Sequence, residues 1–171
     1  MNKLVFYFHG LNSNINSEKV QKLKQHFTKV YCFPIDIDYQ LAYQELTTAI
    51  DNVLLDGMFE DIGVVFVGTS LGGFWAGHLA NLYDCKAILI NPVFDPKTAL
   101  NNLGVDQELC NEYPDLKPKR KHHVFISVND EVLTFPEECL TKYQNVYKYT
   151  NSDHRFSGPE FNDVIALIER I

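Results

Sequence analysis

Ser70 lies in a sequence setting that favours nucleophilic chemistry. It is the centre of Gly68-Thr69-Ser70-Leu71-Gly72, which has the pattern G-x-S-x-G. The continuous apolar run Ile62–Val67 precedes this pattern, and a helical pattern follows it. A strand that turns sharply into a helix at such a pattern exposes the serine hydroxyl above the end of the strand. We therefore predict that Ser70 is a nucleophile. The alternative is a glycine-rich turn that contains a serine by chance.

A serine hydroxyl needs a base to act as a nucleophile near neutral pH, and histidine is the usual choice. Four of the six histidines fall inside predicted helices or at the start of a predicted strand: His26, His78, His122 and His123. His154 instead follows the last predicted strand, in a polar loop. Sites in parallel α/β sheets gather at the carboxyl ends of the strands. We predict His154 as the general base, with a solvated loop histidine as the alternative.

A third group must orient the base and stabilise its charged form. Asp130 follows the fifth predicted strand, so it also belongs to the carboxyl edge of the sheet. Glu131 and Asp153 are its rivals, but Glu131 lies further into the loop and Asp153 adjoins His154, where side chains diverge. We predict Asp130 as the acid. The order nucleophile, acid, base along the chain is the one associated with this type of serine turn.

An acyl-transfer site also needs donors for the developing oxyanion. The residue after the nucleophile supplies one backbone N–H, which here belongs to Leu71. The loop after the first strand supplies the second, and Leu11 is the predicted donor, with Asn12 as the next choice. His9 precedes this loop, where it either shapes the loop or is a strand-end histidine with satisfied hydrogen bonds.

These residues require an alternation of strands and helices to position them. Short apolar runs predict six strands: Leu4–Phe8, Val30–Ile35, Ile62–Val67, Ala87–Ile90, His123–Val128 and Val146–Tyr149. Helical apolar spacing marks the intervening and closing segments, through Val20, Leu23 and Phe27, Ala42 to Leu54, Phe74 to Leu82, and Phe161 to Ile168. We predict a single α/β-hydrolase domain over residues 1–171. Its sheet is mostly parallel, with helices on both faces and a minimal lid.

Three local features carry further expectations. Ser17 is predicted to cap the first helix, and Gly57 to follow the end of the second. The proline-rich stretch from Phe94 to Lys121 fits the alternation poorly, so we predict a short excursion over the sheet edge with a lid helix near Lys97–Leu103. The basic cluster Lys117–Lys121 is predicted to be a solvated loop rather than a binding patch.

The composition excludes several classes of partner. The 171 residues carry a formal net charge of -7, which disfavours binding to nucleic acids and to anionic membranes. The four cysteines form no C-x-x-C pair and no zinc spacing, so we expect reduced thiols and neither metal nor organic cofactor. No apolar run has the length of a signal peptide or a membrane span. We predict a cytoplasmic protein, and its oligomeric state stays open.

Five motifs together resemble a known family. They are His9-Gly10-Leu11-Asn12-Ser13, Gly68-Thr69-Ser70-Leu71-Gly72-Gly73-Phe74-Trp75-Ala76, Asn91-Pro92, Asn129-Asp130-Glu131-Val132-Leu133 and His154-Arg155-Phe156. In this order, and over nearly the whole chain, they resemble the small bacterial esterases of the YqiA/YcfP family. The resemblance implies an α/β-hydrolase core with little or no lid and hydrolysis of carboxylic esters or thioesters. It also places the nucleophile on Ser70, the acid on Asp130 and the base on His154.

We therefore predict a serine esterase that acts on esters of small to medium acyl chains through an acyl-enzyme. A thioesterase or acyltransferase with the same three residues is the first alternative, and a non-catalytic binding protein of the same fold is the second. Four aromatic side chains either line an acyl pocket or belong to the core: Phe74, Trp75, Phe94 and Tyr113.

Overall fold

The computed structural model describes residues 3–56 and 62–171, which contain six strands and seven helices. The strands are β1 (Lys3–Phe8), β2 (Lys29–Cys32), β3 (Gly63–Thr69), β4 (Lys86–Ile90), β5 (His122–Ser127) and β6 (Asn145–Tyr149). The helices are α1 (Glu18–His26), α2 (Tyr39–Asp56), α3 (Leu71–Leu82), α4 (Pro96–Asn102), α5 (Gln107–Glu112), α6 (Glu137–Leu140) and α7 (Phe161–Arg170). Gly57, the predicted end of the second helix, lies outside the described residues.

All six strands form one parallel sheet in the order β2-β1-β3-β4-β5-β6. The six predicted strands are confirmed, with shifts of one to three residues at their ends. The largest shift is in β2, which ends at Cys32 rather than Ile35. Pro34 follows closely, and it has no N–H to donate to a neighbouring strand.

Helices cover both faces of the sheet. Successive side chains of a strand point to opposite faces, and here the apolar side chains on each face belong to a separate hydrophobic core. Along β1, Leu4, Phe6 and Phe8 pack with residues of α2 and α3, whereas Val5 and Tyr7 pack with residues of α1 and α7. A strand buried on both faces reads as a continuous apolar run, which is why the strands could be recognised from the sequence.

The strand register brings the carboxyl ends together. Phe8 of β1 pairs with Gly68 of β3, and Thr69 pairs with Ile90 of β4. Farther across the sheet, at the same carboxyl edge, Ser127 of β5 pairs with Tyr149 of β6. The loops that leave these strands therefore start from one edge of the sheet, and they contain the predicted site residues.

The segment between β4 and β5 differs from the prediction. The helix expected near Lys97–Leu103 is present as α4, but α5 follows it. Instead of forming a lid over the sheet edge, the segment packs onto the core beside α2 and α3 through Leu100, Cys110 and Tyr113. Burial of these apolar side chains stabilises the packed position more than a solvated excursion would. The predicted solvated loop is confirmed, since most of Lys117–Lys121 is exposed.

Two smaller observations complete the fold. Helix α1 begins directly after Ser17, as predicted, but the Ser17 hydroxyl makes no capping hydrogen bond and is buried without a partner among the described residues. No described helix combines the length and the apolar composition that a transmembrane span requires.

A buried histidine makes the fold sensitive to acid. His122 is fully buried at the start of β5, where Nδ1 accepts a hydrogen bond from the backbone N–H of Lys119. Within the described residues its Nε2 has no partner. Burial, with smaller contributions from the charges of Lys119 and His123, lowers the pKa of His122 to about 4.

We expect the free energy of unfolding to fall as the pH drops from about 6.5, where the unfolded chain protonates this histidine, towards its folded pKa. Protonation of His122 lowers the free energy of unfolding by about 3 kcal/mol in all. Above about pH 6.5 the free energy of unfolding is not reduced by this histidine. Chemical denaturation at pH 7 and at pH 4.5 measures the loss, and His122→Gln should reduce it. An equal loss in both proteins would contradict this assignment.

Candidate active site

Ser70 occupies a strained turn between β3 and α3. Its φ of 58° and ψ of -123° lie in a region that residues with a side chain rarely adopt. Four backbone hydrogen bonds hold the turn. The Ser70 N–H donates to the Ile90 carbonyl at 2.9 Å, and the Ser70 carbonyl accepts from the N–H groups of Gly73 at 2.8 Å, Val93 at 3.1 Å and Phe74 at 3.3 Å. The predicted strand–turn–helix setting of Ser70 is present, and its neighbours impose the strain.

Two glycines make this turn sterically possible. A Cβ on Gly68 would overlap the backbone carbonyl of Gly72, and a Cβ on Gly72 would overlap the carbonyl of Phe8. These obstacles are backbone atoms, which cannot rotate away as a side chain can. Both outer positions of the G-x-S-x-G pattern therefore require glycine for the chain to pass through this turn.

The strain at Ser70 predicts a stability difference between two variants that both lack the hydroxyl. Ser70→Gly should be more stable than Ser70→Ala by about 1–2 kcal/mol, because glycine adopts the positive φ without strain. Urea denaturation of the two variants at pH 7 measures this difference. If Ser70→Ala proved the more stable, the turn would not be strained as described.

His154 and Asp130 form a hydrogen-bonded pair at the carboxyl edge. The Nδ1 atom of His154 lies 2.7 Å from Oδ2 of Asp130, whose side chain is only 1% exposed. The other carboxylate oxygen, Oδ1, accepts from the backbone N–H groups of Val132 at 2.8 Å and Leu133 at 2.7 Å. Burial raises the pKa of Asp130, but these hydrogen bonds outweigh burial and hold the pKa below its ordinary value. The carboxylate thus stays ionised and fixes Nδ1–H on the imidazole.

The two rival carboxylates are used elsewhere. Oε2 of Glu131 accepts the backbone N–H of His154 at 3.1 Å. Oδ1 of Asp153 accepts the backbone N–H of Phe156 at 2.9 Å. Both therefore shape the loop around His154, whereas only Asp130 hydrogen-bonds to its imidazole within the described residues.

Asn91 anchors the histidine loop, a role that the sequence analysis did not assign to it. It is fully buried at the end of β4, with a φ of 42°. Its Nδ2 lies within hydrogen-bonding distance of the carbonyls of Asp153 at 3.2 Å and His154 at 2.9 Å, and of Ser127 Oγ at 3.0 Å. Its Oδ1 accepts the Ser127 N–H at 2.7 Å. A polar residue directly after a buried strand beside the Ser70 strand was the signal that could have identified it.

Ser70 and His154 line one cleft of about 520 Å³ at the carboxyl edge. The structure places Ser70 and His154 on the wall of this cleft, with Asp130 buried against the imidazole; among the described residues no hydrogen bond joins the Ser70 hydroxyl to His154. The cleft also exposes Lys19 and Arg155, for which the sequence analysis assigned no role.

The two predicted oxyanion donors lie beside Ser70. Leu71 is the first residue of α3, so its N–H lies at the positive end of the helix dipole. No acceptor within the described residues takes this N–H. Leu11 lines the same cleft, and its N–H also lacks an acceptor in this part of the chain. Nδ1 of His9 lies 2.9 Å from the Gly10 carbonyl, so His9 shapes this loop. Asn12, the second choice, has a φ of 59°.

A smaller pocket of about 100 Å³ adjoins the oxyanion loop. Its wall combines four aliphatic residues, Leu11, Ile35, Ile37 and Leu71, with polar residues that include Asn12, Ser13 and Asp36. The aromatic side chains considered for an acyl pocket belong to the core instead: Phe74, Trp75 and Tyr113 are fully buried, and Phe94 packs against the same core cluster. None of these four rings lines the pocket beside the oxyanion loop.

Sequence comparison supplies a family match. The model of the family described as "Uncharacterised protein family (UPF0227)" matches residues 4–112. The UPF0227 protein YcfP of Escherichia coli O9:H4 is 26% identical over 179 residues, covering 91% of this chain and 92% of the relative.

Structural comparison shows the α/β-hydrolase fold. Est1E from Butyrivibrio proteoclasticus superposes with a TM-score of 0.71 at 14% identity, covering 99% of this chain and 86% of Est1E. The Pyrococcus furiosus esterase Pf2001 gives a TM-score of 0.72 at 14% identity, covering 99% of this chain and 81% of the esterase. Est1E has also been solved with ferulic acid bound. The predicted fold class is therefore confirmed.

Proposed function

This chain belongs to the UPF0227 family, and we propose that it is a serine esterase that hydrolyses carboxylic esters of small to medium acyl chains. The observation that carries the proposal is the combination, at one cleft, of a serine held in a strained turn and a histidine paired with a buried carboxylate. Strain of this kind persists only where the surrounding structure imposes it, and it is concentrated at functional sites.

The proposed reaction begins with attack by Ser70 Oγ on the ester carbonyl, while Nε2 of His154 takes the hydroxyl proton. Nδ1 of His154 faces Asp130, so Nε2 is the nitrogen available as base. The N–H groups of Leu71 and Leu11 stabilise the oxyanion of the tetrahedral intermediate. His154 returns the proton to the leaving alcohol. It then activates a water that releases the acid and frees Ser70.

The non-catalytic alternative is disfavoured by the energetics of the turn. A binding protein gains nothing from a strained residue at position 70, where glycine would relieve the strain at little steric cost. The thioesterase alternative uses the same residues and differs only in the leaving group. Its test is therefore a comparison of substrates that share one acyl group.

The small volume of the pocket beside the oxyanion loop predicts a preference for short acyl chains. Chromogenic acetyl and butyryl esters should be hydrolysed with kcat/KM about tenfold above octanoyl esters, because a chain too long for a pocket of about 100 Å³ must distort its wall, at a cost of about 1–3 kcal/mol. Purified protein assayed with this series, and with the matching acyl-coenzyme A thioesters, measures both chain length and leaving group. Absence of turnover across the ester series would contradict the proposed function, and faster turnover of the thioesters would favour the alternative.

A further inference from the structure

Two cations lie on the cleft wall and form no ion pair among the described residues. Lys19 in the first turn of α1 and Arg155 next to His154 both line the cleft that contains Ser70. Within the described residues neither side chain forms an ion pair or a hydrogen bond, and the Lys19 ammonium lies 6.0 Å from the centre of the Phe161 ring. This arrangement is unusual for a chain with a net charge of -7, where carboxylates outnumber cations.

The acidic side chains nearby are already engaged. Glu18 also lines the cleft, but its carboxylate is 3.0 Å from the ammonium of Lys22. The carboxylate of Asp153 accepts the Phe156 N–H and is not part of the cleft wall. Burial lowers the pKa of Lys19 to about 8, although the charges of Asp153 and Glu18 oppose this, and the charges of Lys22 and Arg155 make smaller contributions to the lowering. An anion placed between the two cations would relieve their repulsion.

The start of α1 presents further donors to the same cleft. Ser17 lines the cleft, but its Oγ is itself buried, so the donors that this helix start offers are backbone N–H groups. The N–H groups of Glu18 and Lys19 stand in the first turn of α1, where backbone donors have no acceptor within the helix. The positive end of the helix dipole favours a negative charge at this position.

We propose that the ester cleaved at Ser70 carries an anionic group, a carboxylate or a phosphate, which Lys19 and Arg155 bind. This inference rests on the proposed function and adds the substrate class to it. The arrangement places the side chains of Lys19 and Arg155 in the same cleft as Ser70 and Leu11, where the acyl carbonyl reacts.

Matched esters test the proposal. Methylumbelliferyl hemiglutarate and pentanoate differ by a carboxylate on the acyl side, and para-acetoxybenzoate and para-acetoxybenzamide differ by one on the alcohol side. Para-acetoxyphenyl phosphate places a phosphate where the benzoate has its carboxylate. The proteins are the wild type, Lys19→Met, Arg155→Gln and the double variant. Lys24→Met is the control, because Lys24 is exposed on the same helix and does not line the cleft.

We expect the wild type to prefer the anionic member of at least one pair, and each cleft variant to lower kcat/KM for that ester by about tenfold, the usual effect of losing one charged hydrogen bond. The neutral ester should change less than about twofold, and Lys24→Met should resemble the wild type. The anionic ester whose kcat/KM falls most in the cleft variants identifies the position and the chemistry of the anion. Equal kcat/KM for anionic and neutral esters in the wild type, or an unchanged ratio in the double variant, would overturn the proposal.

Binding separates this proposal from the proposed function. Calorimetric titration of Ser70→Ala with the same esters requires no turnover. Tighter binding of an anionic ester, lost on adding Lys19→Met and Arg155→Gln, supports the anion site even if the wild type hydrolyses none of the esters. Equal binding of the charged and neutral esters overturns the anion site even if the wild type hydrolyses both.

Discussion

Replacing Ser70 with alanine should lower kcat for ester hydrolysis by about 10⁴-fold or more, because the acyl-enzyme can no longer form and only the binding and oxyanion contributions remain. KM should change little, since alanine preserves the Cβ and the cleft wall. Initial rates with a chromogenic butyryl ester, at an enzyme concentration high enough to see the residual activity, measure the loss.

Other serines of the same cleft provide the control for this variant. Ser13 and Ser157 line the cleft with Ser70. Ser13→Ala and Ser157→Ala should retain kcat within a few-fold of the wild type, because neither hydroxyl lies in the strained turn. Retention of full activity by Ser70→Ala, with loss in one of these controls, would mean that another hydroxyl is the nucleophile.

Asp130→Asn should lower kcat by about 10⁴-fold at neutral pH, although it is nearly isosteric. The backbone N–H groups of Val132 and Leu133 require an acceptor at Oδ1, so the asparagine must turn its NH₂ group towards His154. That NH₂ group can only donate, which forces Nδ1 to accept and leaves the proton on Nε2. The imidazole is then unable to take the proton of Ser70.

Glu131→Gln is the matched control for the acid. Its side chain can still accept the His154 backbone N–H through the amide oxygen, so we expect kcat to change by less than about threefold. Thermal denaturation of Glu131→Gln and Asp130→Asn should first show that the two variants are equally stable, so that their kcat values can be compared directly. If Glu131→Gln were as damaging as Asp130→Asn, the acid would be Glu131 and the assignment of Asp130 would be wrong.

Much of the fold could be predicted because the four central strands, β1, β3, β4 and β5, are mostly buried on both faces. Such strands are continuous apolar runs, so the alternation of strands and helices was visible without knowledge of their pairing. The polar residues that follow these runs, such as Ser70, Asp130 and His154, then had to share one edge of the sheet. The contact between His154 and Asp130 follows from this topology.

What could not be predicted depends on packing between segments distant in sequence. Asn91 hydrogen-bonds to the backbone of residues 153 and 154, more than 60 positions away, and no local pattern encodes these contacts. The segment containing α5 was expected to be a lid because its prolines obscure the periodicity, yet Tyr113 anchors it to the core by donating to the Ile37 carbonyl. The presence of Lys19 and Arg155 on one cleft wall likewise results from the approach of α1 to the histidine loop.

Covalent labelling with a fluorophosphonate tests the central claim most directly, because this probe reacts with a serine only when a base activates it. Incubation of the purified protein with the probe, followed by intact-mass measurement and peptide mapping, locates the adduct. The proposed site predicts one adduct per chain on Ser70, with slower labelling of Asp130→Asn. An unlabelled protein, or an adduct on any other residue, would contradict the assignment of Ser70 as the nucleophile.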